Sequence, residues 1–175
     1  MHNRMVITAL GQDRPGIVRE LASAVTETGC NIEDSRMSVL GGEFAVILMV
    51  AGRWNELAKL EAGLPNTAKR IGLEVHLRRT EATQGGEQLL PYRVEVVALD
   101  HPGIVAELAN FFATREINIR DMNTASYAAA HTGTPMFSVQ MSVDVPAGLH
   151  IASLRDEFMD FCDQLNLDAL MEPAR

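Results

Sequence analysis

The 175 residues carry 15 Lys and Arg against 23 Asp and Glu, a formal net charge of −8. No basic cluster is longer than Arg78-Arg79, which argues against direct nucleic-acid binding, because affinity for phosphates comes from Lys and Arg displacing counterions. No run of 18 apolar residues is present, so no membrane-spanning helix is expected, and the apolar and charged fractions are those of a globular protein.

Met1-His2-Asn3-Arg4 leads directly into a strand pattern, and no signal peptide is expected. Arg4 to Leu10 is a short run rich in Val, Ile and Thr and reads as a strand. Gly11 to Pro15 is turn chemistry. Asp13 can cap the helix that follows, and Pro15 suits its first position, where a missing N–H costs nothing. Ile17, Leu21 and Val25 then fall on one helical face, and Gly29 ends the helix. Asn31 to Leu40 reads as a second strand, Gly41-Gly42 as a two-residue hairpin turn, and 44–50 as a third strand. That third strand, Phe44-Ala45-Val46-Ile47-Leu48-Met49-Val50, is apolar on both faces, so both faces are expected to be covered. Trp54, Leu57, Leu60 and Leu64 form the stripe of a second helix, which Pro65 is expected to interrupt. Leu73 to Thr80 closes the set as a strand. The order β-α-β-β-α-β is the split βαβ, or ferredoxin-like, pattern.

The pattern then repeats. Glu81 to Pro91 is polar and reads as a linker. Tyr92 to Leu99 is a strand, Pro102 to Glu116 a helix with Ile104, Leu108 and Phe112 inward, and Asn118 to Ala129 a strand. Met136 to Val145 is a strand in which Ser138, Gln140 and Ser142 alternate with apolar residues, so one face reads as wet. Ile151, Leu154, Phe158, Phe161 and Leu165 step as an amphipathic helix, and Leu167 to Met171 closes the unit as a strand. Aligning 13–34 with 100–121 at a constant offset gives eleven identities in twenty-two positions, including Asp13/Asp100, Pro15/Pro102, Gly16/Gly103, Asn31/Asn118 and Ile32/Ile119. The expectation is an α+β chain of two units, 1–80 and 92–175, joined by a linker at 81–91. Each is an antiparallel four-stranded sheet with helices on one face. The bare face of the first sheet is expected to lie against another unit or subunit, that of the second less so. Units this small are only marginally stable alone, so a homo-oligomer is expected.

Two such units, each opening strand–D-x-P-G-I-V–helix and followed by x-N-I at the next strand, resemble ACT domains. That resemblance implies tandem regulatory modules that bind amino acids, usually between adjacent modules. The arrangement is similar to tandem-ACT transcriptional regulators, which implies repression through a separate DNA-binding activator, relieved by a small amino acid, glycine foremost. By the same resemblance the ligand-facing positions are Asp13, Arg14, Pro15, Gly16, Ile17, Asn31 and Ile32. Their counterparts are Asp100, His101, Pro102, Gly103, Ile104, Asn118 and Ile119.

The chemistry of these residues admits that role. A strand entering a helix through Asp-x-Pro-Gly presents backbone N–H groups at a helix N-terminus, which favours a carboxylate. Asn31 and Asn118 offer an acceptor for an ammonium and donors for a carboxylate, and Asp13 or Asp100 can pair with an ammonium. Each also has a plain structural explanation: the Asp as caps, the Gly as packing, the Asn as partners of their own turns. Glycine has five heavy atoms, so at a ceiling of about −1.5 kcal/mol per atom its dissociation constant is no tighter than a few µM. A metabolite sensor fits that limit, and no cofactor is expected.

Cys30 and Cys162 stand alone and read as reduced, buried thiols of a cytoplasmic protein. The five His are scattered without ligand spacing, so no metal is expected. No nucleophile triad, metalloprotease or phosphate-loop pattern appears. Two modules account for the length, and the chain is expected not to be an enzyme. D-R-P-G-I-V also resembles the front of formyltetrahydrofolate deformylase, so an enzyme of one-carbon metabolism, or an enzyme accessory, is the alternative reading. A ligand-free interaction module is a third.

Overall fold

The computed structural model describes residues 3–81 and 88–174. The chain divides into two compact units. The first contains β1 (Asn3–Gln12), α1 (Ile17–Thr26), β2 (Asn31–Leu40), β3 (Glu43–Gly52), α2 (Trp54–Ile71) and β4 (Glu74–Thr80). The second contains β5 (Leu89–Leu99), α3 (Ile104–Ala113), β6 (Asn118–Ala128), β7 (Pro135–Pro146), α4 (Ile151–Gln164) and β8 (Asp168–Pro173). The sheets run in the orders β2-β3-β1-β4 and β6-β7-β5-β8, antiparallel at every pairing. This is the ferredoxin-like arrangement in both units. Of the segment read as a linker, 82–87 lie outside the described residues, and β5 already starts at Leu89. Leu89 and Leu90 extend the ladder opposite Pro146 and Val145, which explains why the strand reaches into a stretch that composition marks as polar.

Period-two patterning puts one face of each sheet on its helices. In the first unit Met5, Ile7, Phe44, Val46, Leu48 and Val50 meet Ile17, Leu21 and Val25 of α1 and Leu57, Leu60 and Leu64 of α2. In the second, the corresponding layer is richer in rings. Phe111 and Phe112 stand where the repeat has Ala24 and Val25, and Phe111 meets Phe158 edge-on with centroids 5.2 Å apart. Both cysteines are buried and free, and burial pushes the Cys162 thiol up to about 12.

The second strand of each unit carries a bulge at the same place. Glu33 and Arg120 are the extra residues, between Ile32 and Asp34 and between Ile119 and Asp121. Their charges are opposite, and each is paired across the sheet: Arg4 Nε donates to Glu33 at 2.7 Å, and Arg120 Nε donates to Asp144 at 3.0 Å. Asp144 is the one buried acidic side chain among the described residues, so its partner matters.

Two expectations need correcting, those for Trp54 and Pro65. Trp54 does not join the α2 stripe; it is 67 % exposed, beneath the Arg79 guanidinium. Within the first unit itself the third strand is covered on its helix-facing side only. Phe44, Val46, Leu48 and Val50 are buried, but Ile47 points outward and is 46 % exposed. Pro65 does not interrupt its helix: α2 runs from Trp54 to Ile71 with Pro65 inside. The apolar stripe continues through Leu64 to Ala68, both buried, and that burial offsets the lost hydrogen bond. Pro65 itself is exposed, so water can reach the carbonyl it leaves without a partner. Pro65→Ala should therefore restore that bond and stabilise the first unit by about 1–3 kcal/mol, seen as a raised midpoint in thermal or urea unfolding. An unchanged or lowered midpoint would contradict this account of α2.

Candidate functional site

The strand-to-helix corners are built around two left-handed glycines. Gly16 has φ 88° and Gly103 φ 100°, and each is the residue immediately before its helix. Gly16 O accepts from Glu20 N at 3.0 Å, and Gly103 O from Glu107 N at 2.9 Å, which starts each helix. Asp13 and Asp100 are not the caps, and Pro15 and Pro102 precede the helices rather than opening them. The cap position falls on glycine because the chain must turn through positive φ there, and Asp sits three residues too early to reach the helical donors. Each Asp instead ends a strand. Its N–H donates at 3.0 Å to Gly42 O or Pro135 O, closing β1 on β3 and β5 on β7.

Neither helix has a capping side chain; the first N–H groups of α3 stay open, whereas in α1 the Ile17 N–H donates to Arg14 O at 3.4 Å. A Cβ built on either glycine meets nothing within 4 Å. The glycines are therefore required by conformation, not by close packing, and the space beside them is free.

The two corners differ in what surrounds that space. Arg14 is engaged twice. It forms a two-pronged pair with Glu20, at 2.6 and 3.0 Å, and donates to Ile71 O at 3.1 Å, tying the first corner to the last turn of α2. The guanidinium's hydrogen bonds hold the Glu20 carboxyl below the usual carboxylate range. In the second unit His101 takes the place of Arg14, and its Nδ1 lies 3.0 Å from Pro102 O. Glu107 has no recorded cation partner, and Asp100 accepts a hydrogen bond from Ser126 at 3.2 Å. A cavity of about 410 Å³ opens at this second corner, lined by His101, Gly103, Val105, Ala106, Ala109 and Phe137, with Ile104 beneath.

Asn31 and Asn118 are exposed, with no recorded side-chain hydrogen bond. They do not sit beside the corner of their own unit. Asn31 is level with Ala51 and Gln12 with Glu43, eight residues apart along β3, about 27 Å at 3.4 Å per residue. Asn118 and Leu99 are separated in the same way along β7. Ile32 and Ile119, next to the Asn, pack partly into the cores. Each unit thus brings together its Asp-x-Pro-Gly-Ile residues and leaves its Asn-Ile pair at the opposite end of the sheet. Ala109 and Phe137 line the cavity and lie outside the motif, and Val105, its last residue, lines it too without having been among the ligand-facing positions. The pairing of Ala98 with Phe137 is the signal that carries Phe137 to the corner.

Among the described residues no three His, Cys, Asp or Glu side chains gather as a metal site, and no helix is long and apolar enough to cross a membrane.

The ACT domain model matches residues 3–78. Over 162 residues the chain is 32% identical to the glycine cleavage system transcriptional repressor of Escherichia coli (strain K12), covering 93% of this chain and 85% of that protein. It is 35% identical over 74 residues to a UPF0237 protein of Methanopyrus kandleri, covering 41% of this chain and 82% of that one. Among solved structures, one provisionally described as a glycine cleavage system transcriptional repressor superposes with a TM-score of 0.75 at 27% identity, covering 100% of this chain and 99% of that one. A protein of unknown function from Galdieria sulphuraria superposes with a TM-score of 0.81 at 26% identity over 100% of both chains.

If positive φ is the reason for the glycines, Gly16→Ala and Gly103→Ala should each destabilise by about 1–2 kcal/mol, although neither introduces a clash. Urea melts of the two variants measure this. Substitutions without effect would show that the corner relaxes to negative φ at no cost.

Proposed function

The chain belongs to the family of the glycine cleavage system transcriptional repressor, built from ACT domains, and we propose that it senses a small amino acid at the β5–α3 corner and represses transcription through a partner. In this reading it is a cytoplasmic regulator, not an enzyme. It controls a separate DNA-binding activator by protein contact, needs no cofactor, and works as a homo-oligomer. Glycine is the first ligand to consider, from the relative's name.

The observation that carries the reading is the second corner: an uncapped helix N-terminus behind a left-handed glycine, open to a cavity of about 410 Å³. The open N–H groups at the start of α3 suit a carboxylate. His101 and Asp100 stand at the same corner as polar partners for the ammonium end. Val105, Ala109 and Phe137 supply an apolar wall that a branched side chain can bury and glycine cannot. The motif residues of the first unit keep a scaffold role in this reading, with Arg14 committed to Glu20 and Ile71.

Action through a protein partner rather than on DNA is supported by the charge. Residues 3–81 hold ten Lys and Arg and ten Asp and Glu, whereas residues 88–174 hold four Arg and twelve Asp and Glu. The whole net charge therefore falls on the second unit, which repels a phosphate backbone.

Calorimetric titration with the twenty amino acids tests the ligand. Glycine or a small aliphatic amino acid should bind with a dissociation constant no tighter than a few µM in the case of glycine. Ala109→Phe should fill the cavity and weaken that binding at least tenfold while the melting midpoint holds. Silence across the panel would leave a ligand-free interaction module, and unaltered binding in Ala109→Phe would move the site away from this corner.

A further inference from the structure

The helix-free faces of the two sheets are built alike and surfaced differently. The pairing register sets their side chains in levels across the strands. In the first unit one level runs Asp34–Met49–Val6–Arg78, the next Arg36–Ile47–Thr8–His76, and a third Ser38–Ala45–Leu10–Glu74. Charged and polar groups lie at the two edges, and the middle is apolar except for Thr8. Ile47 is 46 % and Leu10 50 % exposed. The matching levels of the second unit run Asp121–Ser142–Arg93–Glu172 and Asn123–Gln140–Glu95–Leu170. There the middle is polar, and Arg93 is paired to Glu172 at 2.6 Å. One fold thus carries a solvated face and an apolar face rimmed by charge.

We propose that the helix-free face of the first sheet is a dimer interface, and that its occupant is the same face of a second copy. This rests on the homo-oligomer reading above and names its surface.

Charge complementarity selects the occupant. A two-fold axis parallel to the strands exchanges the β2 and β4 edges and keeps every level in place. It lays Met49 on Val6 and sets Asp34 of each copy opposite Arg78 of the other, twice per dimer. Asp34 Oδ1 accepts within its own copy from Arg36, at 2.5 Å, and from Ser35 N, at 2.8 Å. Its Oδ2 has no recorded partner and remains for the incoming guanidinium. Arg36 falls opposite His76, and Glu74 of the same strand lies one level away from that contact. The operation also stacks the sheets with their strands aligned, which is the ordinary packing of two twisted sheets.

The available area sets the strength. Four strands about 4.8 Å apart and about seven residues long give a face of about 500 Å² per copy, or about 1,000 Å² in the pair, the lower limit of a specific interface. The dimer should therefore be reversible, its population rising with protein concentration.

Sedimentation velocity on the full chain, from about 1 µM to about 1 mM, reads this directly. The wild type should move from monomer toward dimer across the range. Ile47→Lys should remain monomeric, with an unchanged melting curve because the residue lies outside the core. Gln140→Lys, at the matching level of the second sheet, should dimerise like the wild type. Asp34→Lys and Arg78→Glu should each weaken association at least tenfold, and the double variant should recover most of it. A wild type that is monomeric throughout would overturn the proposal together with the homo-oligomer reading. A dimer that survives Ile47→Lys, or is lost in Gln140→Lys, would leave that reading standing and place the interface elsewhere. Failure of the double variant to recover would exclude the two-fold arrangement.

Discussion

The turn from strand to helix through a left-handed glycine is the constraint on which the rest depends. It directs α1 and α3 back across their sheets, so that Ile17 and Ile104 enter the cores at the first helical position. It also determines what the corner can do. A glycine in the cap position supplies no side-chain oxygen, so at α3 the first helical N–H groups stay available, and a Cβ-free backbone leaves space in front of them. A capping Ser or Asp there would satisfy those donors and close the site. The same substitution of geometry for side-chain chemistry explains why Asp13 and Asp100, the obvious caps by composition, end strands instead.

From this shared corner the two units diverge by a few side chains. Arg14, held by Glu20 and by the last turn of α2, makes the first corner a structural joint. His101 makes no such reach, and the second corner stays open beside Phe137. The sheets diverge in the opposite sense, with Val6, Ile47 and Met49 leaving the first unit apolar outside while Arg93, Glu95 and Gln140 leave the second polar. A duplicated fold has thus been divided between a neutral unit with an adhesive face and an acidic unit with an open corner.

Most of the fold was legible because hydrophobic periodicity and turn residues determine it locally. The second strand, Asn31–Leu40, was placed to the residue, and the Gly41-Gly42 hairpin follows from its dipeptide. Pro65 misleads because its penalty is local, while the burial of Leu64 and Ala68 that outweighs it is tertiary. Trp54 misleads because residue type suggests a core position, whereas its place at the start of α2 leaves it over the surface. The corner residues Gly16 and Gly103 stand out in the repeat, but the separation of Asn31 and Asn118 from them does not. Only strand register reveals that these groups lie at opposite ends of one sheet. Phe137 is hidden for the same reason, since it reaches the corner through pairing with Ala98 rather than through the motif.

The central claim is that the second corner, not the first, receives the ligand. Two-dimensional amide NMR of the full chain during titration with glycine, and then with alanine and valine, measures this directly. The expected result is movement of the Ile104, Val105 and Ala106 amides with little change at Ile17, Val18 and Arg19. Movement confined to the first corner, or at neither corner while calorimetry reports binding, would contradict it.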